Sequence, residues 1–200
     1  MVNSMKAMEN QSIGKLIIGQ WNTMTLIVIT VGSILFALMT VFGRFSIFGN
    51  VGIETSMLVP IFVGVFFGPV PTFITLAIGW IGVDLLMGWG FYVENAIGYG
   101  VIGFFVGALP LYGAKVNKGV FGLMHATIYV FCCIVAIVFG HGVVMRFLTS
   151  IMNPYYYWGG GILWSLSIAS YILFTLIVIG TPLLYLMTYL YSHKIKQKNQ

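Results

Sequence analysis

Charge is what this sequence lacks. Nine Lys and Arg and four Asp and Glu make up 6% of 200 residues, where a soluble domain carries about 25%. So few charges cannot cover a water-facing surface around a core that is 60% hydrophobic residues. A bilayer is the solvent in which this composition is stable. No polar stretch is long enough for a second domain. Cysteine is nearly absent: Cys132 and Cys133 are adjacent within an apolar run, with no CxxC spacing, which reads as small buried thiols rather than a bridge or a metal site. Nucleotide-cradling GxxxxGK[ST] is missing, as are HExxH, GxSxG and any serine with an evident base, so the sequence offers no machinery for ATP hydrolysis or peptide cleavage. No internal repeat is visible, which counts against transporters built on inverted halves. The net charge of +5 sits in the N-terminal segment, one short loop and the tail, without the aromatic-and-basic interleaving of nucleic-acid binders.

What is present is a series of apolar runs. A spanning helix needs about 20 mainly apolar residues. The pattern predicts helices over Asn22 to Gly43, Ser56 to Phe67 (short), Thr72 to Met87, Asn95 to Tyr112, Val120 to Phe147 and Ile162 to Tyr191. The first run is too long for a signal-peptide core and lacks a cleavage pattern, so it is expected to stay as helix 1. Gly68-Pro69-Val70-Pro71 reads as a strong breaker. The fold class expected is an all-α integral membrane bundle of six helices, with a segment 1–21, a membrane domain 22–191 and a basic tail 192–200. Six spans put both termini on one side together with Lys6, Lys15, Lys115, Lys118, Lys194, Lys196 and Lys198, leaving Arg44 and Arg146 on the other. The positive-inside rule then makes both termini cytoplasmic.

Polar groups that are costly at membrane depth gather at the outer end. Asp84 closes helix 3, where an ionised group costs about 3 kcal/mol or more at the bilayer centre. It reads either as a charge pair with Arg44 or Arg146 or as a ligand contact. Asn50, Glu54 and Thr55 form either a solvated loop with a helix cap or a polar lid. Trp89, Tyr92, Glu94 and Asn95 occupy the next outer loop, and Tyr155, Tyr156, Tyr157 and Trp158 the third. An interfacial aromatic belt would explain the rings, but a belt marks both interfaces and the inner loops have few. One-sided aromatics beside glycines also suit a pocket stacking on a planar ligand, with Gly49-Asn50 and Gly159 to Gly161 as lids. His125 reads as a packing residue and His141 as a pocket-rim candidate; neither has metal-ligand spacing. Small residues four apart recur at Ser33 and Ala37, Gly64 and Gly68, and Gly103 and Gly107, fitting close helix packing or, on helix 1, the docking of another subunit.

The order Val31-Gly32-Ser33-Ile34-Leu35-Phe36-Ala37, Gly43-Arg44, Asn50-Val51-Gly52-Ile53-Glu54-Thr55, Phe67-Gly68-Pro69-Val70, Gly79, Asp84 and Gly88-Trp89-Gly90 resembles the S components of energy-coupling factor (ECF) transporters, closest to the riboflavin-like S components often catalogued as uncharacterised membrane proteins. The likeness runs over roughly residues 25 to 125. It implies a six-helix fold with cytoplasmic termini and an outward pocket built from the helix 1–2, 3–4 and 5–6 loops. It also implies that the Ser33 and Ala37 stripe docks a transmembrane coupling protein (the T component), that two ATPase subunits complete the complex, and that the chain topples in the membrane. Relatives often carry His at the position of Trp80 and Lys at that of Val83.

The function expected is therefore capture of a ring-bearing water-soluble vitamin, such as a flavin, cobalamin or pyridoxine, by a non-enzymatic subunit of the bacterial cell membrane. Asn50, Glu54, Asp84, Trp89, Tyr92, Glu94, Asn95, His141 and Trp158 are the expected binding residues. No cofactor or metal is expected in the chain, ATP being used by its partners; the other contacts are membrane lipid, and no nucleic acid. The alternatives are a proton-coupled secondary carrier using Asp84 and His141, or a membrane enzyme or scaffold.

Overall fold

A computed structural model describes residues 13–19, 21–49, 51–152 and 161–198. A short helix α1 (Ile13–Ile18) leads to α2 (Thr23–Phe42). Asn22 caps α2: its side-chain oxygen accepts the Thr25 N–H at 2.9 Å, one of the donors a helix start leaves without an internal partner. The segment after α2, expected to be an irregular polar stretch, is instead an antiparallel hairpin of β1 (Arg44–Phe48) and β2 (Val51–Glu54), with Arg44 opposite Glu54. Pairing satisfies backbone groups that an irregular segment would leave open at the membrane edge. A 3-10 turn (Thr55–Met57) runs into α3 (Leu58–Phe67).

The break between α3 and α4 (Pro69–Met87) is narrower than the sequence suggested. Gly68 alone makes it, at φ 86°, a backbone region that side-chain-bearing residues avoid. Both prolines lie inside the first turn of α4, where their missing N–H groups have no intrahelical partner to lose. The helix thus begins at Pro69, not Thr72. α5 (Val93–Val106) is followed by 3-10 turns at Leu109–Tyr112 and Val116–Lys118, so the expected helix Asn95 to Tyr112 is divided. α6 (Leu123–Met152) is longer than expected and winds as a π-helix over Ile137–Met145. α7 comprises Gly161–Phe174, a π-helical turn at Thr175–Ile179, and Gly180–Lys198.

Five helices are long and apolar enough to cross a membrane: Thr23–Phe42, Pro69–Met87, Val93–Tyr112, Leu123–Met152 and Ser167–Ile195. The sixth expected span, Thr55–Phe67, rises only about 20 Å at 1.5 Å per residue, short of a hydrocarbon core of about 30 Å. α1 packs beside the Leu109–Tyr112 turn, and Gly119 abuts Ser192 of α7, so α1 and the last turns of α7 share one end of the bundle. The hairpin and the α4–α5 turn lie at the opposite end, called here the mouth. The outward faces are apolar: Phe42 is 74% exposed, Leu85 65% and Leu123 80%. Exposure on that scale is stable against lipid and not against water.

α4 lies between α2 and α5 and forms the centre of the bundle. The small-residue stripe of helix 1, expected to dock a partner, lies against α4 within the chain. Ser33 is 5% and Ala37 4% exposed; the Ser33 hydroxyl donates to the Thr75 carbonyl at 2.9 Å, and Ala37 faces Gly82 of α4. Small residues at these two positions bring α2 against α4 inside the chain. The paired glycines act likewise: Gly64 meets the backbone of Gly107, and Gly103 that of Thr72.

Gly52 fixes how the hairpin seats on α7. A side chain there would collide with the Tyr171 ring and the Phe45 carbonyl. Overpacking of this kind costs about 1–3 kcal/mol. Gly52→Ala is expected to lower the thermal midpoint in detergent by that equivalent, and Tyr171→Ala in the same chain to recover part of the loss. An unchanged midpoint in Gly52→Ala would show that the hairpin does not seat there.

Candidate binding site

Register places the first charge pair of the mouth. Arg44 and Glu54 face each other across the hairpin, and the guanidinium Nε donates to a Glu54 carboxylate oxygen. The other oxygen accepts the Ser56 hydroxyl at 2.9 Å. The Glu54 N–H donates at 2.8 Å to Thr175 Oγ1, whose own proton goes to the Tyr171 carbonyl at 2.9 Å. The hairpin is thereby tied to the π-helical turn of α7, and Glu54 is left 1% exposed. Burial pushes the Glu54 carboxyl above its ordinary range, with the Arg44 guanidinium and the Ser56 hydroxyl opposing that rise.

Asp84 occupies the last turn of α4 at 2% exposure. One carboxylate oxygen accepts the Tyr92 N–H at 2.8 Å, and its backbone carbonyl accepts the Trp89 N–H at 3.3 Å. This one residue folds the α4–α5 turn back onto the helix. Its other oxygen, Oδ1, has no hydrogen-bond partner. Neither arginine claims it through the pairing the sequence allowed, since Arg44 is taken by Glu54. Glu94 lies in the first turn of α5 and is 2% exposed.

One turn before Asp84, Trp80 is 3% exposed and stacks on Tyr99 of α5 with ring centroids 4.1 Å apart and planes at 13°. Phe36 and His141 meet Tyr99 edge-on at 5.8 Å and 5.9 Å. The Trp80 N–H lies one turn from Asp84 and outside hydrogen-bond geometry with any acceptor. It and Thr40 Oγ1 are buried without partners. Both residues line a cavity of about 160 Å³, together with Arg44, Val83 and Trp89. Buried polar atoms are hydrogen-bonded in the great majority of cases; here two unmatched ones, Thr40 Oγ1 and Trp80 Nε1, line the cavity, and Asp84 Oδ1 is unmatched one turn along α4.

Glu54, Asp84, Trp89, Tyr92, Glu94 and Asn95 therefore share the mouth. Tyr92 contributes its backbone N–H to Asp84, and Asn95 is half-buried with its N–H on the Tyr92 carbonyl. His141 packs in the core against Tyr99 rather than lying on the rim. Asn50, Trp158, the three tyrosines before it, Gly159 and Gly160 fall outside the described residues. Sequence reasoning did not single out Thr40, Trp80 or Tyr99 as site residues. A signal for two of them was available: Trp80 sits four residues before Asp84, on the same helical face, and Tyr99 is a large ring between two glycines. Among the described residues no group of three His, Cys, Asp or Glu is placed to hold a metal ion.

The elevated Glu54 carboxyl has a consequence for stability. A carboxyl with a raised folded value binds its proton more readily folded than unfolded. It therefore favours folding more as pH falls through the window from that raised value down to the ordinary Glu value of 4.5. The stability of the native chain relative to Glu54→Gln is expected to increase on acidification through that window, read as the difference in thermal midpoint in detergent. A difference that stays flat or shrinks would contradict the assignment.

A family model described as ECF-type riboflavin transporter, S component, matches residues 20–189. A UPF0397 protein of Vibrio vulnificus strain YJ016 is 31% identical over 121 residues, covering 59% of this chain and 66% of the relative. UPF0397 proteins of Aliivibrio salmonicida strain LFI1238 and Aliivibrio fischeri strain MJ11 are 30% and 29% identical over the same length. The match thus spans just under two thirds of these relatives. No solved structure gives a significant match. With the family model running from the approach to α2 almost to the end of α7, the chain belongs to the S-component family of ECF-type riboflavin transporters.

Proposed function

We propose that this chain captures a ring-bearing, water-soluble vitamin of the flavin type at its mouth and hands it inward as the substrate-binding subunit of an ATP-driven importer. The observation that carries the reading is the pair of buried, unmatched polar atoms that line the mouth cavity, Thr40 Oγ1 and Trp80 Nε1, with the unmatched Asp84 Oδ1 one turn further along α4 and the Trp80 ring stacked on Tyr99. A heteroaromatic ligand with ring N–H and carbonyl groups supplies both what the carboxylate and the indole N–H lack and a surface for stacking.

The cavity of about 160 Å³ is smaller than the roughly 300–1,000 Å³ of ordinary ligand pockets. Binding then requires the mouth to open. Two covers suit this: the hairpin, held by Arg44, Glu54 and Thr175, and the α4–α5 turn, held by Asp84. A ligand that takes over the free acceptor of Asp84 engages the residue that anchors the turn. In this reading the mouth faces outward. Lys15, Lys115, Lys118 and Lys194 lie at the end with the termini and Arg44 and Arg146 at the other, which favours cytoplasmic termini. A T component and two ATPase subunits would supply the energy the chain has no residues to extract, and the whole bundle would topple to release its ligand.

The test is direct. Chain purified in detergent, stripped by unfolding and refolded, is titrated with a vitamin panel while tryptophan fluorescence is followed. At least one ring-bearing vitamin is expected to bind. Asp84→Asn should weaken it about 10- to 100-fold, as expected for losing a hydrogen bond to a charged group. Failure of every vitamin to bind refolded native chain overturns the proposal.

A further inference from the structure

A second cavity, larger than the one at the mouth, lies at the opposite end of the bundle. It measures about 770 Å³ and lies between α1, the start of α2, the α3–α4 break and the 3-10 turns that follow α5. Lys15, Lys115 and Lys118 line it, with Asn117 among them, while Val65 and Phe67 contribute an apolar wall. Every described acidic residue, Glu54, Asp84 and Glu94, is at the mouth, so no carboxylate of the described chain neutralises these three ammonium groups. Close by, Trp21 is 49% exposed and donates its indole N–H to the Ile18 carbonyl at 3.0 Å. A half-exposed tryptophan tied to backbone at a helix start is the arrangement found at headgroup depth.

We infer that this cleft holds the phosphate-bearing headgroup of an anionic phospholipid. Three positive charges without counterions call for an anion of more than one charge or more than one anion. The apolar wall at interfacial depth fits the glycerol and first methylenes of a lipid, where a free phosphate ion would have only water. Basic pockets between transmembrane helices are suited to cardiolipin-type and related headgroups. The bound lipid would lie across α1, the α3–α4 break on which α1 already packs, and the Lys115–Lys118 turn. The inference requires that the bundle sit in a bilayer and is independent of what the mouth binds.

The experiment uses full-length chain delipidated in detergent and supplied with cardiolipin, phosphatidylglycerol, phosphatidylcholine or glycerol phosphate, with adducts counted by native mass spectrometry. Cardiolipin and phosphatidylglycerol are expected to be retained over phosphatidylcholine. Replacing one lysine of the three by Gln should weaken retention about fivefold, and the triple Lys15→Gln, Lys115→Gln, Lys118→Gln variant on the order of a hundredfold. The corresponding Lys→Arg variants should retain the lipid, and Lys194→Gln, outside the cleft, should change nothing. Circular dichroism and vitamin titration of the triple variant separate loss of the lipid site from loss of fold or of the mouth. Equal retention of phosphatidylcholine, undiminished retention by a folded triple variant, or glycerol phosphate binding as tightly as the lipids each overturns the inference.

Discussion

Hydrocarbon offers no hydrogen bonds, and this architecture follows from that constraint. Every backbone group that leaves a helix must find a partner inside the protein. At the mouth the chain does so by pairing with itself: β1 with β2, the Gly43 carbonyl with both the N–H and the hydroxyl of Thr55, and the Tyr92 N–H with Asp84. Where α7 widens into a π-helical turn, the Tyr129 hydroxyl donates to the Leu176 carbonyl at 3.2 Å and Thr175 takes the Glu54 N–H. Such widened turns recur at functional sites because they free backbone groups for other uses. Here one lies on the hairpin's anchor and the other carries His141.

The same constraint separates two kinds of polar residue. Glu54 has its charge, both oxygens and its N–H matched, and it acts as a structural clasp. Asp84 has one oxygen matched and one free, and the nearby Trp80 N–H and Thr40 hydroxyl are free as well. An unmatched buried polar atom costs about 1–3 kcal/mol. A protein can hold such atoms in place only if the surrounding packing is firm, and the stack of Trp80 on Tyr99, buttressed by Phe36 and His141, supplies that firmness. Stacked rings therefore hold the polar atoms in place, while the hairpin and the α4–α5 turn are each held by a few hydrogen bonds.

Charge divides the molecule along its length. All described carboxylates lie at one end and the unneutralised lysines at the other. Three of the lysines line the large cleft; the carboxylates are buried at the mouth. The two ends thus use the few charges of a 6% charged chain for different work, with no ion pair among the described residues joining them.

The membrane class, the apolar helices and the gathering of acidic groups at one end were legible in the sequence because composition, run length and lysine placement are one-dimensional properties that the bilayer reads directly. Glu54, Asp84 and Glu94 could be singled out for the same reason: a carboxylate in so apolar a chain is conspicuous. Other features depended on which surfaces meet. The hairpin could not be read from Arg44 to Glu54, since strand pairing depends on a partner. Nor could the inward turn of Ser33 and Ala37, because spacing of four fixes a helical face and not what that face touches. Trp80 and Tyr99 look like two more aromatic residues among many until α4 and α5 bring their rings to 4.1 Å. Sequence determined the solvent this chain lives in and which residues are costly there; only tertiary packing decided which of those costs are met within the chain and which are left open for a ligand, because matching a hydrogen bond requires two groups at a fixed distance in space.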